Sequence, residues 1–284
     1  MSFTRSGQKV LIVAMACLAW SGNAWAEAFI LGLGAARDTE DAMALTAFGD
    51  FGIGDDTWLS ATIGSTETDG PLGGFETSFY ELGIDHQFNP VGFRVSLAYW
   101  GDPDLLDSRD TRASFYYRDE IAFLSANYER RDFDFVFDSI LLLTPRKVEF
   151  HADGWGMTSR IRFGDRVTFH LGGMHYEYSR RIRIDPDINV LRFLSASRLS
   201  LMNSLLDYRA DAGIEVAFGL RSVDVSAGTW KTAVDQSKVD SYSIGFLTPM
   251  TDRTDVELRL SFDDSENFGR TTALTAYLYY FGGS

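Results

Sequence analysis

The sequence predicts an all-β fold, an antiparallel β-barrel that crosses a membrane, and three observations point there. First, apolar and polar residues alternate with a period of two along almost the whole chain after residue 26. From Thr254 to Asp263, Val256, Leu258, Leu260 and Phe262 point one way and Asp255, Glu257, Arg259, Ser261 and Asp263 the other, because successive strand side chains face opposite sides of a sheet. Second, the alternating segments are joined by connections that are tight, then long, then tight again. Third, no apolar run after residue 26 is long enough for a membrane helix, which takes about 20 residues. A chain that crosses lipid without helices satisfies its backbone polar groups only as a closed barrel.

Residues 1–26 read as a cleaved export signal. Arg5 and Lys9 form the positive start, Val10 to Trp20 the apolar stretch, and Ala24-Trp25-Ala26 the small-x-small cleavage pattern. The barrel is therefore expected over 27–284. The single cysteine, Cys17, lies inside the signal, which leaves the mature chain without a disulfide or a thiol nucleophile. Loss of Arg5 and Lys9 takes the formal net charge from −14 to −16. Such acidity argues against nucleic acid as a partner and favours admission of cations over anions; equally, it keeps an exported chain soluble before insertion.

Strand-like segments fall at 28–36, 42–53, 57–66, 78–88, 92–101, 111–130, 133–144, 148–164, 166–179, 208–219, 221–232, 239–249, 254–263 and 272–281, fourteen in all. The stretch 111–150 admits another division, and merging two segments there gives twelve. Tight connections are expected at Gly54 to Asp56, Asn89 to Val91, Arg130 to Asp132, Gly164-Asp165, Gly219-Leu220 and Met250 to Arg253. Longer polar ones are expected near 37–41, 67–77, 102–110, 145–147, 180–207, 233–238 and 264–271, the pattern of short inner turns and long outer loops. Phe51, Phe88 with Phe93, Phe163 with Phe169, Phe218, Phe246 and Phe281 flank the short turns, as an interfacial girdle would.

The final segment, Ala273 to Phe281, puts Tyr277, Tyr279 and Phe281 on one face. It resembles the aromatic-ended last strand of Gram-negative outer-membrane barrels, although Gly282-Gly283-Ser284 follow the phenylalanine. That resemblance implies an outer-membrane location, lipid and lipopolysaccharide as surroundings, and the barrel-assembly machinery as a partner of the last strand. In size and strand number the chain is similar to the OmpG-type monomeric porins, which implies one chain around a water-filled pore for small solutes.

Alternation also assigns the lumen. Arg209, Asp211 and Glu215 face inward opposite Ala210, Ala212, Ile214 and Val216, and Arg160 and Arg162 face inward opposite Ile161 and Phe163. Glu81, Asp85 and Arg94 follow the same rule, as do Glu257 and Arg259. The expected lining residues are thus Arg160, Arg162, Arg209, Asp211, Glu215, Glu257 and Arg259. Basic residues group on the middle strands and acidic ones on the early and late strands, an arrangement that sets up a field across a narrow pore; the alternative is that inward charges pair and fill the interior. The 180–207 connection carries five arginines and three acids. Leu191, Leu194, Met202 and Leu205 in it fall at roughly helical spacing after Asp185-Pro186-Asp187, so Arg192 and Arg198 are candidates for a constriction, and arginine forks there also suit lipopolysaccharide phosphates.

Catalysis is the competing class, as a lipid hydrolase of the outer leaflet, and a non-conducting adhesion or assembly barrel is the third. His170 and His175 share a strand with Gly172-Gly173, Glu177 and Ser179, and a bulge at the glycines would turn both imidazoles inward. Without a bulge their odd separation aims them at opposite faces and at no common metal ion. His86 beside Phe88 reads as interfacial. Gly32-Leu33-Gly34 reads as strand glycine, and no nucleotide or cofactor motif is expected.

Overall fold

The computed structural model describes residues 28–70, 73–102, 106–137, 146–180, 205–233, 236–267 and 269–283. The proposed signal lies outside them. The strands are β1 (Ala28–Asp38), β2 (Met43–Ile53), β3 (Thr57–Gly70), β4 (Gly73–Gln87), β5 (Val91–Asp102), β6 (Leu106–Arg118) and β7 (Ala122–Phe137), then β8 (Arg146–Phe163), β9 (Val167–Tyr178), β10 (Leu206–Phe218), β11 (Arg221–Thr232), β12 (Lys238–Thr251), β13 (Thr254–Ser265) and β14 (Gly269–Gly283). Each pairs antiparallel with the next, and β14 closes on β1 from Ala28↔Gly283 to Asp38↔Ala273. Closure leaves no edge strand to seek partners.

Two sets of sequence expectations need correction. Arg130-Arg131-Asp132 is not a turn but the middle of β7, and the turn between β6 and β7 is Asp119-Glu120-Ile121. Three consecutive charged residues read as solvent, yet Arg130 and Asp132 face outward while Arg131 is buried inside. Asp119 makes the true turn: its carboxylate accepts from the amides of Ile121 (2.8 Å) and Ala122 (2.6 Å). Much of the expected long outer connections is also strand. The 67–77 segment is mostly the paired tips of β3 and β4, which run together to Gly70↔Gly73; β5 and β6 likewise take most of 102–110, β8 takes Arg146 and Lys147, and β13 and β14 take parts of 264–271. Past the apolar band the outward positions turn polar while inward ones include buried Thr68, Thr77, Ser108 and Asp110, so backbone pairing continues without apolar alternation to announce it.

The tight turns sit at one end of the barrel. Two of them place Gly164 and Gly219 at φ +62° and +69° with open space where a Cβ would stand, so the need for glycine there is conformational.

The outer face is apolar. Leu82 and Leu97 are cross-strand partners and are 68% and 62% exposed, a pairing that a water-facing monomer would not present. Around the tight-turn end the phenylalanines pair outward: Phe29 with Phe51, Phe88 with Phe93, and Phe163 with Phe169, at 6.5, 6.0 and 5.2 Å between ring centres. Toward the other end a second belt contains Tyr80 with Tyr99 and Tyr128 with Trp155, at 6.2 and 4.6 Å. On β8 the outward residues from Phe163 to Trp155 span roughly 26 Å of strand at 3.3 Å per residue, of the order of the apolar band of such barrels. Beyond Trp155 the outward positions become charged, with Asp153, His151, Glu149 and Lys147. Phe281 departs from its expected place in the girdle: it shares the inward parity of Tyr277 and Tyr279, and Tyr280 takes the outward position, 6.0 Å from Phe29.

The interior carries its own apolar cluster toward the long-loop end. Trp100, Leu106, Phe133, Phe135, Phe150, Ala152, Met174, Tyr176, Leu205 and Leu206 pack there on the side formed by β5–β10. Leu206 reaches it through a register shift between Leu206 and Tyr208, because the extra residue of a bulge reverses which face the flanking side chains take.

Candidate functional site

The lumen is the site, and three layers of side chains define it. Beneath the apolar cluster lies a buried charge network. Arg112 donates through Nε to Glu129 (2.8 Å), through Nη1 to Glu81 (2.9 Å) and through Nη2 to Asp110 (3.1 Å). Arg131 meets Asp110 at 3.3 Å with both side chains almost wholly buried, and its guanidinium lies 4.9 Å from the Phe133 ring centre. The Tyr176 hydroxyl donates to Glu129 at 2.6 Å. Every acid here has a planar guanidinium or a hydroxyl against it, the condition under which buried charge is tolerated.

A second set crosses the wall of β9–β14. His170 Nε2 lies 2.9 Å from Asp224 Oδ2, two strands away. The intervening residue is Gly213, where a Cβ would collide with that ring nitrogen, so the imidazole reaches across only because the backbone there is bare. Arg259 reaches Asp224 (3.3 Å) and Glu257 (2.9 Å), and the Tyr279 hydroxyl donates to Glu257 at 2.8 Å.

The third set stands near the tight turns. Arg94 donates to Asp85 at 2.6 Å, Tyr116 also donates to Asp85, and Arg160 donates to Glu215 at 3.2 Å. Arg118 lies over the rings of Tyr116 and Phe123, 5.4 and 5.2 Å from their centres.

Polar cavities run between these layers. One of about 540 Å³ is bounded by Thr46, Thr66 and Tyr277 on one wall and by Arg112, Glu129, Arg131, Arg209 and Asp211 on the other. A second, about 380 Å³, is lined by His170, Asp224, Glu257 and Arg259 and shares Thr158 with the first. A third, about 670 Å³, contains Arg94, Arg118 and Arg162 and shares Arg160 and Glu215 with the second. The three cavities thus follow one another from the tight-turn end to mid-lumen, with shared wall residues between neighbours.

The structure places Arg160, Arg162, Arg209, Asp211, Glu215, Glu257 and Arg259 on these cavity walls. Arg192 and Arg198 lie outside the described residues. The expected segregation of charge holds only in part: Glu81, Asp110 and Glu129 sit beside the arginines of the middle strands, not across from them. Near the tight turns the signs are mixed as well: Arg94 holds Asp85 and Arg160 holds Glu215, while Arg118 and Arg162 carry no ion pair among the described residues. The cluster of Asp110, Arg112, Glu129, Arg131 and Tyr176 escaped sequence reasoning. Its signal was the shared parity of Glu129, Arg131, Phe133 and Phe135, hidden once a turn was assigned at 130–132.

The catalytic grouping does not form. Register is unbroken on both sides of Gly172-Gly173, so no bulge is present. His170 faces the lumen while His175 points outward, 62% exposed in its side chain and 4.0 Å from Asp207. Ser179 Oγ accepts from the His151 amide. His86 is outward at the girdle, 2.7 Å from Thr57 Oγ1 and 4.4 Å from the Phe88 ring centre.

A closed fourteen-strand antiparallel barrel, apolar outside and polar within, has the architecture of the outer-membrane channels. Among solved structures, the monoaromatic hydrocarbon channel CymD aligns over 95% of this chain and 92% of its own, with TM-score 0.55 and 9% identity. The NanC porin aligns over 88% of this chain and 98% of its own, with TM-score 0.50 and 8% identity. At such identities the likeness is one of fold. No protein-family model and no curated protein matches the chain.

Proposed function

We propose that the protein is a monomeric, porin-like passive channel for small hydrophilic solutes or ions in the outer membrane of a Gram-negative bacterium, with no chemical step. The observation that carries this is the series of polar cavities sharing Thr158, Arg160 and Glu215 and lined by charges of both signs. CymD is a channel for monoaromatic hydrocarbons; here the charged lining favours water-soluble cargo, because stripping those groups of water for a hydrocarbon costs free energy. The test is single-channel conductance of the refolded mature chain in a planar bilayer. Steady open levels are expected. A silent bilayer from a folded barrel would favour a non-conducting adhesion or assembly role, with the apolar cluster of β5–β10 as the stopper.

The sequence-based assignment of Arg192 and Arg198 to a constriction belongs to the same proposal. Their joint replacement by alanine is expected to change conductance or selectivity, and unchanged values for both would remove it. Lipid and lipopolysaccharide contact, and recognition of β14 by the assembly machinery, complete the proposed setting.

A further inference from the structure

We propose that the tight-turn mouth of the lumen is a binding site for multivalent carboxylate anions, formed by Arg118, Arg160 and Arg162 with Arg94 at its edge. It deepens the channel reading and rests on it for the supply of solute.

Geometry gathers these groups. Arg118 pairs in register with Phe123 on β7, and Phe123 pairs with Arg160 on β8, so two arginines stand two strands apart, roughly 10 Å at the usual strand spacing. Arg162 is two residues from Arg160 on the same face. All line one cavity of about 670 Å³.

Their charge is largely uncommitted. Arg118 and Arg162 hold no ion pair among the described residues, and Arg160 gives only one donor to Glu215, at 3.2 Å with its own side chain 58% exposed. The nearby carboxylate of Asp119 is occupied by two turn amides and the Tyr117 hydroxyl. Arg118 is also restrained: its guanidinium lies over the Tyr116 and Phe123 rings, a cation–π contact that engages the face of the cation and no ion pair. A planar fork with free donors suits carboxylate oxygens two at a time, and three forks across roughly 10 Å suit an anion with more than one carboxylate. Glu120, Asp165 and Glu215 also line the cavity, so the site rests on the placement of unpaired guanidinium forks and not on the net charge of the mouth.

The probe is citrate, with glucose as the neutral control. Calorimetric titration of the folded barrel in detergent, free of divalent cations, is run on the wild type, on the Arg118→Gln/Arg162→Gln double variant and on Arg162→Gln alone. The single variant removes one exposed, unpaired side chain and keeps the test usable if the double variant does not fold. Citrate is expected to bind the wild type, at least tenfold more weakly the double variant and measurably more weakly the single one, while glucose does not bind. Absence of citrate binding to the wild type, or equal binding by the folded variants, overturns the site. Bilayer recording separates the two proposals: a silent channel whose citrate binding still depends on Arg162 retains the site and removes the pore.

Discussion

At the scale of single residues, the interior is governed by the cost of burying charge. Asp110 stands between Arg131 and Arg112, with no exposed side-chain surface of its own. Removing one partner of a buried pair strands the other charge in low dielectric and costs about 3–5 kcal/mol. Asp110→Ala is therefore expected to destabilise the barrel by about that amount, read as a fall in the urea midpoint of folded-band mobility. Arg37→Ala breaks a pair whose side chains are 72% and 68% exposed and is expected to shift the midpoint by less than about 1 kcal/mol. Equal shifts would show that the buried network contributes nothing special.

At the scale of elements, the β6–β7 turn shows where the sequence was legible. Alternation and the spacing of turns point to fourteen strands, with 111–150 open to another division, and to the inward parity of Arg160, Arg162, Arg209, Asp211, Glu215, Glu257 and Arg259, because an apolar outer face and a polar inner one leave a period of two. Alternation fails where that contrast vanishes. In β7, Glu129 and Arg131 share the inward face with Phe133 and Phe135, so charge ceased to mark solvent. The two divisions differ in outcome: a short epitope inserted after Glu120 is expected to leave folding and insertion intact, whereas the same insertion after Arg131 splits β7 and prevents barrel formation, scored by heat-modifiable mobility. Folding after the Arg131 insertion would restore the turn at 130–132.

The same turn has a pH signature. The Asp119 carboxyl lies below the ordinary carboxylate range, first because the Ala122 amide donates to it and then through the Tyr117 hydroxyl and the Ile121 amide. A carboxyl depressed in the folded state adds stability above its unfolded value, about 3.9, and loses it as pH falls through the folded value. Wild type should therefore exceed Asp119→Ala in stability at pH 7, and the gap should shrink below about pH 4. A gap that stays constant down to pH 2 would mean that the carboxylate hydrogen bonds do not stabilise the turn.

For the whole molecule, net charge and lumen charge are different quantities. Many of the acids occupy turns or the outward surface beyond the belts, including Asp55, Asp56, Glu76, Asp132, Glu149 and Asp153, and at several ångströms from salt solution much of their field is screened. Ions entering the proposed channel would meet the lining instead. Arg209 and Asp211 face the mid-lumen cavity together, and Glu257 and Arg259 the one beside it. If ions travel through these cavities, Arg209→Gln should raise cation preference and Asp211→Asn lower it, each by a factor of about two to ten for a change of one to two kT in local potential. The reversal potential under a salt gradient reads both signs. Opposite shifts from neighbouring residues require a path past both side chains, whereas a barrel filled by its paired charges would pass no current for either variant to alter.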